Sequence, residues 1–166
     1  MQRRTLLKAG LFGGGALLVA GGALRLLGGD TESAATGAAA RRVLDAVMPA
    51  MLAGTLPEDP AARARALGAG RERTLATIAA LPPAVRRELG QLFTLLDSRA
   101  GSWLAGLDDW DMATPQAVSR ALQSWRVHRF ALLQTAYHAL HDLVLGPWYA
   151  DPSTWDAIGY PGPITL

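Results

Sequence analysis

Thr114-Pro115-Gln116-Ala117-Val118-Ser119-Arg120-Ala121-Leu122-Gln123-Ser124-Trp125-Arg126-Val127-His128-Arg129-Phe130-Ala131-Leu132-Leu133-Gln134-Thr135-Ala136-Tyr137-His138-Ala139-Leu140-His141-Asp142-Leu143-Val144-Leu145 is the stretch that decides the fold. It opens with a threonine cap followed by proline, which costs nothing at a first helical position because that N–H has no partner in any helix. Val118, Leu122, Trp125, Phe130, Leu132, Leu133, Ala136, Tyr137, Leu140, Leu143 and Val144 follow with helical spacing and cover more than one stripe. The expectation is one long helix over residues 115–145, apolar nearly all round because other helices wrap it.

Outward from there the pattern stays helical, with almost no alternation of strand type. Val43, Leu44, Val47, Met48, Met51 and Leu52 give a first helix one apolar face, ended by Gly54 and Pro57. Asp59-Pro60 repeats the cap-plus-proline device and opens a second helix that ends in Leu75, Ile78 and Leu81, with a break at Gly68 or Gly70. Its Arg63, Arg65, Arg71 and Arg73 lack interleaved aromatics and read as a solvated face. Pro82-Pro83 starts a third helix with Val85, Leu89, Leu92, Phe93, Leu96 and Trp103 as its core stripe. The fold class expected is all-α: a small irregular helical bundle around a long C-terminal helix, with an extended tail rich in proline and aromatic residues.

The 166-residue chain has no cysteine, so a disulfide framework, a thiolate metal site and a cysteine nucleophile are excluded. Its formal charge is +2, but Arg3, Arg4, Lys8 and Arg25 stand in the first 29 residues, which hold no acid. The rest carries 12 basic against 14 acidic residues, and every basic one is arginine. That balance argues against nucleic acid as a partner.

Gln2-Arg3-Arg4-Thr5-Leu6-Leu7-Lys8 is a short basic region, followed over residues 9–24 by Gly, Ala, Leu and Val with one Phe. This is the order of an export signal. Paired arginines, an apolar pair and a lysine resemble the twin-arginine consensus, a receptor-read address that implies export of a folded cargo. Arg3 and Arg4 are the expected export-signal residues, the twin-arginine translocase the expected receptor, and the periplasm the destination. Extended past Arg25, the same stretch approaches the length that spans a bilayer, so an uncleaved leader would contact the membrane. Candidate cleavage sites are Glu32-Ser33-Ala34-Ala35 and Gly37-Ala38-Ala39-Ala40. The leader's glycines miss the G-x-G-x-x-G spacing and follow no strand, so they form no dinucleotide loop.

Candidate chemistry in the body is sparse. His128, His138 and His141 lie on the expected long helix, and His138 with Asp142 shares one face, yet no H-E-x-x-H or second carboxylate-histidine pair completes a metal shell. These histidines are read as structural. Asp108, Asp109 and Asp111 around Trp110 miss the register of a calcium loop and read as a capped turn. No nucleophile elbow, Walker loop or flavin fingerprint is present. The expectation is therefore no catalytic residue, no metal and no cofactor in this chain.

After residue 145 the composition changes: Gly146-Pro147-Trp148-Tyr149-Ala150-Asp151-Pro152-Ser153-Thr154-Trp155-Asp156-Ala157-Ile158-Gly159-Tyr160-Pro161-Gly162-Pro163 carries two tryptophans, two tyrosines and four prolines. Asp151-Pro152 can cap one helical turn, and the later prolines enforce an extended or turning path. Rigid backbone with large aromatic anchors suits a tail laid on a partner or folded back over its own bundle. Trp148, Tyr149, Asp151, Trp155, Tyr160 and Pro161 are the expected partner-binding residues. The organisation expected is a signal and linker over residues 1–35, a helical domain over 36–145 and this tail over 146–166.

The tail, on a short helical chain with a twin-arginine leader, resembles the small subunit of flavin-dependent glucose-methanol-choline-type dehydrogenases, the gluconate 2-dehydrogenase subunit 3 family. The resemblance rests chiefly on residues 148–163. It implies a non-catalytic partner of a large flavoprotein that lacks its own signal, binds FAD in the cytoplasm and is exported bound to the small chain, with a cytochrome c subunit or another acceptor taking its electrons. Two other readings differ in class: a membrane-tethered assembly factor acting alone, and a small metal or haem protein using the histidines.

Overall fold

The computed structural model describes residues 31–162; Arg3, Arg4, the rest of the leader and Pro163 lie outside the described residues. Seven α-helices make up the described body: α1 (Thr31–Ala34), α2 (Ala38–Met51), α3 (Pro60–Ala79), α4 (Pro83–Asp97), α5 (Arg99–Leu104), α6 (Pro115–Arg126) and α7 (Ala131–Tyr149), followed by 3-10 turns at Pro152–Thr154 and Asp156–Ile158. No strand occurs among the described residues. The all-α bundle expected from the sequence is what forms.

Helix α2 is the hub, packing on α3, α4, α6 and α7. Its Val43, Leu44 and Val47 are fully buried, with Met48 and Leu52 beside them. The caps read from the sequence are made: the Asp59 carboxylate accepts from the Ala62 N–H at 2.6 Å and the Thr114 hydroxyl from the Ala117 N–H at 3.2 Å. Gly54 adopts a left-handed φ of 90° just past α2, as a turn there requires.

Helix α3 does not break at its glycines. A Cβ on Gly70 would lie 2.9 Å from the Met48 Cε and 3.0 Å from the Trp148 ring, so the missing side chain lets α3 approach α2 and α7 closely. Its arginines do more than face water. Arg71 pairs with Asp45 at 2.7 Å and with Glu72 at 3.2 Å, and Arg41 pairs with Glu72 at 2.7 Å, which ties α2 to α3.

The long helix of residues 115–145 is instead two helices, broken over residues 127–130. Core positions Val118, Ala121, Leu122 and Trp125 put the next inward position at 128 or 129, where His128 and Arg129 stand. Burying either would strip a polar group of water, so the chain leaves the helix and resumes with Leu133 inward. The break is built: the His128 Nδ1 accepts from the Phe130 N–H at 3.1 Å, and Gln134 donates to the His128 carbonyl at 2.8 Å. Phe130, expected in the core, is 48% exposed at this corner.

The third expected helix ends at Asp97, and Ser98 caps a new one by accepting from the Gly101 N–H at 3.0 Å. Trp103 therefore sits on α5, outside the α4 stripe, and is 81% exposed rather than buried. Val85, in the first turn of α4, is also exposed, whereas Leu89, Leu92, Phe93 and Leu96 are buried as expected. Trp110 takes the interior place, 3% exposed, its indole N–H donating to the Leu96 carbonyl at 2.7 Å. That carbonyl belongs to the last turn of α4 and has no partner within its helix. Trp125 does the same for α5, donating to the Ala105 carbonyl at 3.1 Å, and meets Trp110 edge to face at 6.4 Å.

The body also begins before residue 36: Ala35 is fully buried and Glu32 on α1 is ion-paired with Arg86 on α4.

Candidate partner-binding surface

Helix α7 runs on through Pro147 to Tyr149, past the tail boundary expected at 146. This changes what Trp148 does. It lies on the inward row Leu133, Ala136, Leu140, Val144 of α7 and is 3% exposed, so it is core and offers no contact surface. The spacing of four from Val144 could have shown it; the neighbouring glycine and prolines obscured it.

Beyond Tyr149 the tail folds back on its own bundle. Asp151 caps the turn as expected, its carboxylate accepting from the Ser153 N–H at 2.8 Å, and its other oxygen meets the Arg73 guanidinium at 2.6 Å. The Ser153 N–H above all, with the Arg73 charge in support, holds this carboxyl below the usual carboxylate range. Arg73 also lies 6.0 Å over the Trp148 ring. Thr154, buried, donates from its hydroxyl toward the Trp148 and Asp151 carbonyls, each at 2.9 Å.

The outer turn is held in turn by Trp155, whose indole N–H donates to the Tyr149 carbonyl at 2.8 Å. Its ring meets Tyr160 edge to face at 5.1 Å, and the Tyr160 N–H donates to the Trp155 carbonyl at 3.0 Å. Gly162, at a φ of 94°, packs on the same ring. Of the six expected contact residues, Tyr149, Tyr160 and Pro161 are exposed, Trp155 and Asp151 are half-buried and spent on holding the tail, and Trp148 is interior. Ile158, exposed beside them, was not anticipated.

Further exposed apolar residues stand on α5, in the turn after Trp110 and at the corner before α7. Trp103, Met112 and Val127 are 81%, 83% and 84% exposed, with Phe130 nearby in sequence. The Trp125–Ala105 bond joins their segments, since Trp103 is two residues before Ala105 and Val127 two after Trp125. Two arginines lie over rings, Arg126 over Tyr137 at 5.7 Å and Arg129 over Phe130 at 5.0 Å.

The histidines do not converge. His128 shapes the break, His138 is exposed, and His141, not His138, meets Asp142, at 3.0 Å. Asp109 accepts from the Asp111 N–H at 2.9 Å, the capped turn expected around Trp110. Among the described residues no group of three or more metal-ligating side chains forms, and no helix is long and apolar enough to cross a membrane. A scan against protein-family models and searches of curated proteins and solved structures found no match to this chain.

Proposed function

We propose that this chain is a non-catalytic accessory subunit that binds a flavin-dependent alcohol or sugar dehydrogenase, supports its maturation and carries it through twin-arginine export to the periplasm. The observation that carries the reading is the display of large apolar side chains to solvent: Trp103 on α5, Met112 after Trp110, Val127 and Phe130 at the corner before α7, and Tyr149, Ile158 and Tyr160 at and beyond its end. Exposed tryptophan and methionine are costly in an isolated domain and useful at an interface, where such residues dominate binding energy. Side chains carried on folded segments lower the ordering cost of association. The tail's resemblance to the gluconate 2-dehydrogenase subunit 3 family supplies the kind of partner, a large FAD-bearing subunit, with a cytochrome c subunit as a further member.

Gentle isolation of this chain from its host tests the reading. The expected preparation contains a large second chain in fixed ratio and shows flavin absorbance near the visible bands of oxidised FAD. A lone colourless chain would sink it, and a lone chain with a Soret band or bound metal would replace it with the histidine-based alternative.

A further inference from the structure

The two candidate cleavage sites of the leader are both folded into the body. Each would place a small residue immediately before the broken bond, Ala35 in one and Ala40 in the other, and both alanines are 0% exposed. The bonds themselves are engaged as well. The Thr36 N–H donates to the Ser33 carbonyl at 3.3 Å, and the Arg41 N–H donates to the Gly37 carbonyl at 3.1 Å in the first turn of α2. Residues 31–34 are helical, α1 packs on α4, and the Glu32–Arg86 ion pair fastens it there.

A signal peptidase must draw several residues around the scissile bond into an extended strand, and proteolysis in folded proteins concentrates at exposed, poorly bonded segments for that reason. Here access needs α1 peeled from α4 or the start of α2 unwound, with Ala35 or Ala40 leaving the core. A cargo exported already folded presents both sites closed. We infer that the leader is not removed after export and remains as this chain's membrane anchor. Residues 9–24, extended past Arg25 to residue 29, supply an apolar stretch of nearly bilayer length for that role. The complex would then sit at the periplasmic face of the membrane instead of diffusing in the periplasm. This inference rests on the export reading above.

The test is the intact mass of the chain recovered from its native host, combined with its accessibility to protease added to spheroplasts and its fate on carbonate washing. The expected result is a protease-accessible chain at full-length mass, retained in washed membranes. An accessible chain beginning at Thr36 or Arg41, or at any residue inside the leader's apolar stretch, would overturn the inference and leave the export reading standing. A full-length chain confined to the cytoplasm would overturn both. A second chain, with Glu32-Ser33-Ala34-Ala35 duplicated ahead of Thr31, offers the same site outside the packed body. It is expected to lose its leader on export; if it too stayed intact, burial would not be the reason for retention.

Discussion

Replacing Trp125 by alanine is expected to cost about 3–5 kcal/mol, the range for removing a fully buried large aromatic side chain. The indole is 1% exposed, so its removal leaves a cavity that the surrounding side chains fill only in part. Two further losses add to that. The Ala105 carbonyl would lose its donor, and Trp110 would lose the ring it meets edge to face. Because a domain of this size holds only about 5–15 kcal/mol in reserve, the variant should unfold at much lower urea concentration than the parent. Denaturation followed by helical circular dichroism checks it. An unchanged midpoint would mean that the α5–α6 junction is not packed as described.

Gly101→Ala should be comparably damaging for a different reason. A Cβ at that position would stand 1.8 Å from the Leu95 carbonyl oxygen and 2.6 Å from its carbon, and both are backbone atoms that cannot swing aside. The corner between α4 and α5 must open, taking with it the Ser98 cap and the Leu96 carbonyl that receives Trp110. The cost should reach about 3 kcal/mol or more, the upper end for overpacking. Gly68→Ala provides the contrast within the same protein. Nothing lies within 4 Å of a Cβ there, and the position is mid-helix in α3. Alanine should be neutral or stabilising by up to about 1 kcal/mol. Paired melts of the two variants read the sign of each effect; similar behaviour at both sites would contradict the close approach at Gly101.

Much of this architecture was legible because it is encoded locally. The aspartate and threonine caps at Asp59, Thr114 and Asp151, each before a proline, mark element starts, and the row Val43, Leu44, Val47, Met48 marks the inward face of α2. What was not legible depended on distant partners or on rotation between elements. The arginines of α3 looked solvated because the carboxylates of Asp45 and Asp151 that engage Arg71 and Arg73 are remote in sequence. Trp103 looked buried because its spacing continues the α4 stripe, and the Ser98 cap that resets the helix direction is a single residue. The composition change after residue 145 suggested that the helix ends there, yet α7 continues through Pro147 and buries Trp148, so one of the tail's two tryptophans belongs to the core while Trp103, read as core, is exposed.

The central claim is that this chain carries another protein across the membrane, and the most direct measurement replaces Arg3 and Arg4 together by lysine in the native host and follows both chains by fractionation. The account predicts that the flavoprotein partner stays in the cytoplasm together with the altered chain, folded and holding its flavin. Delivery of the dehydrogenase to the periplasm in full, while the altered chain stays behind, would contradict it.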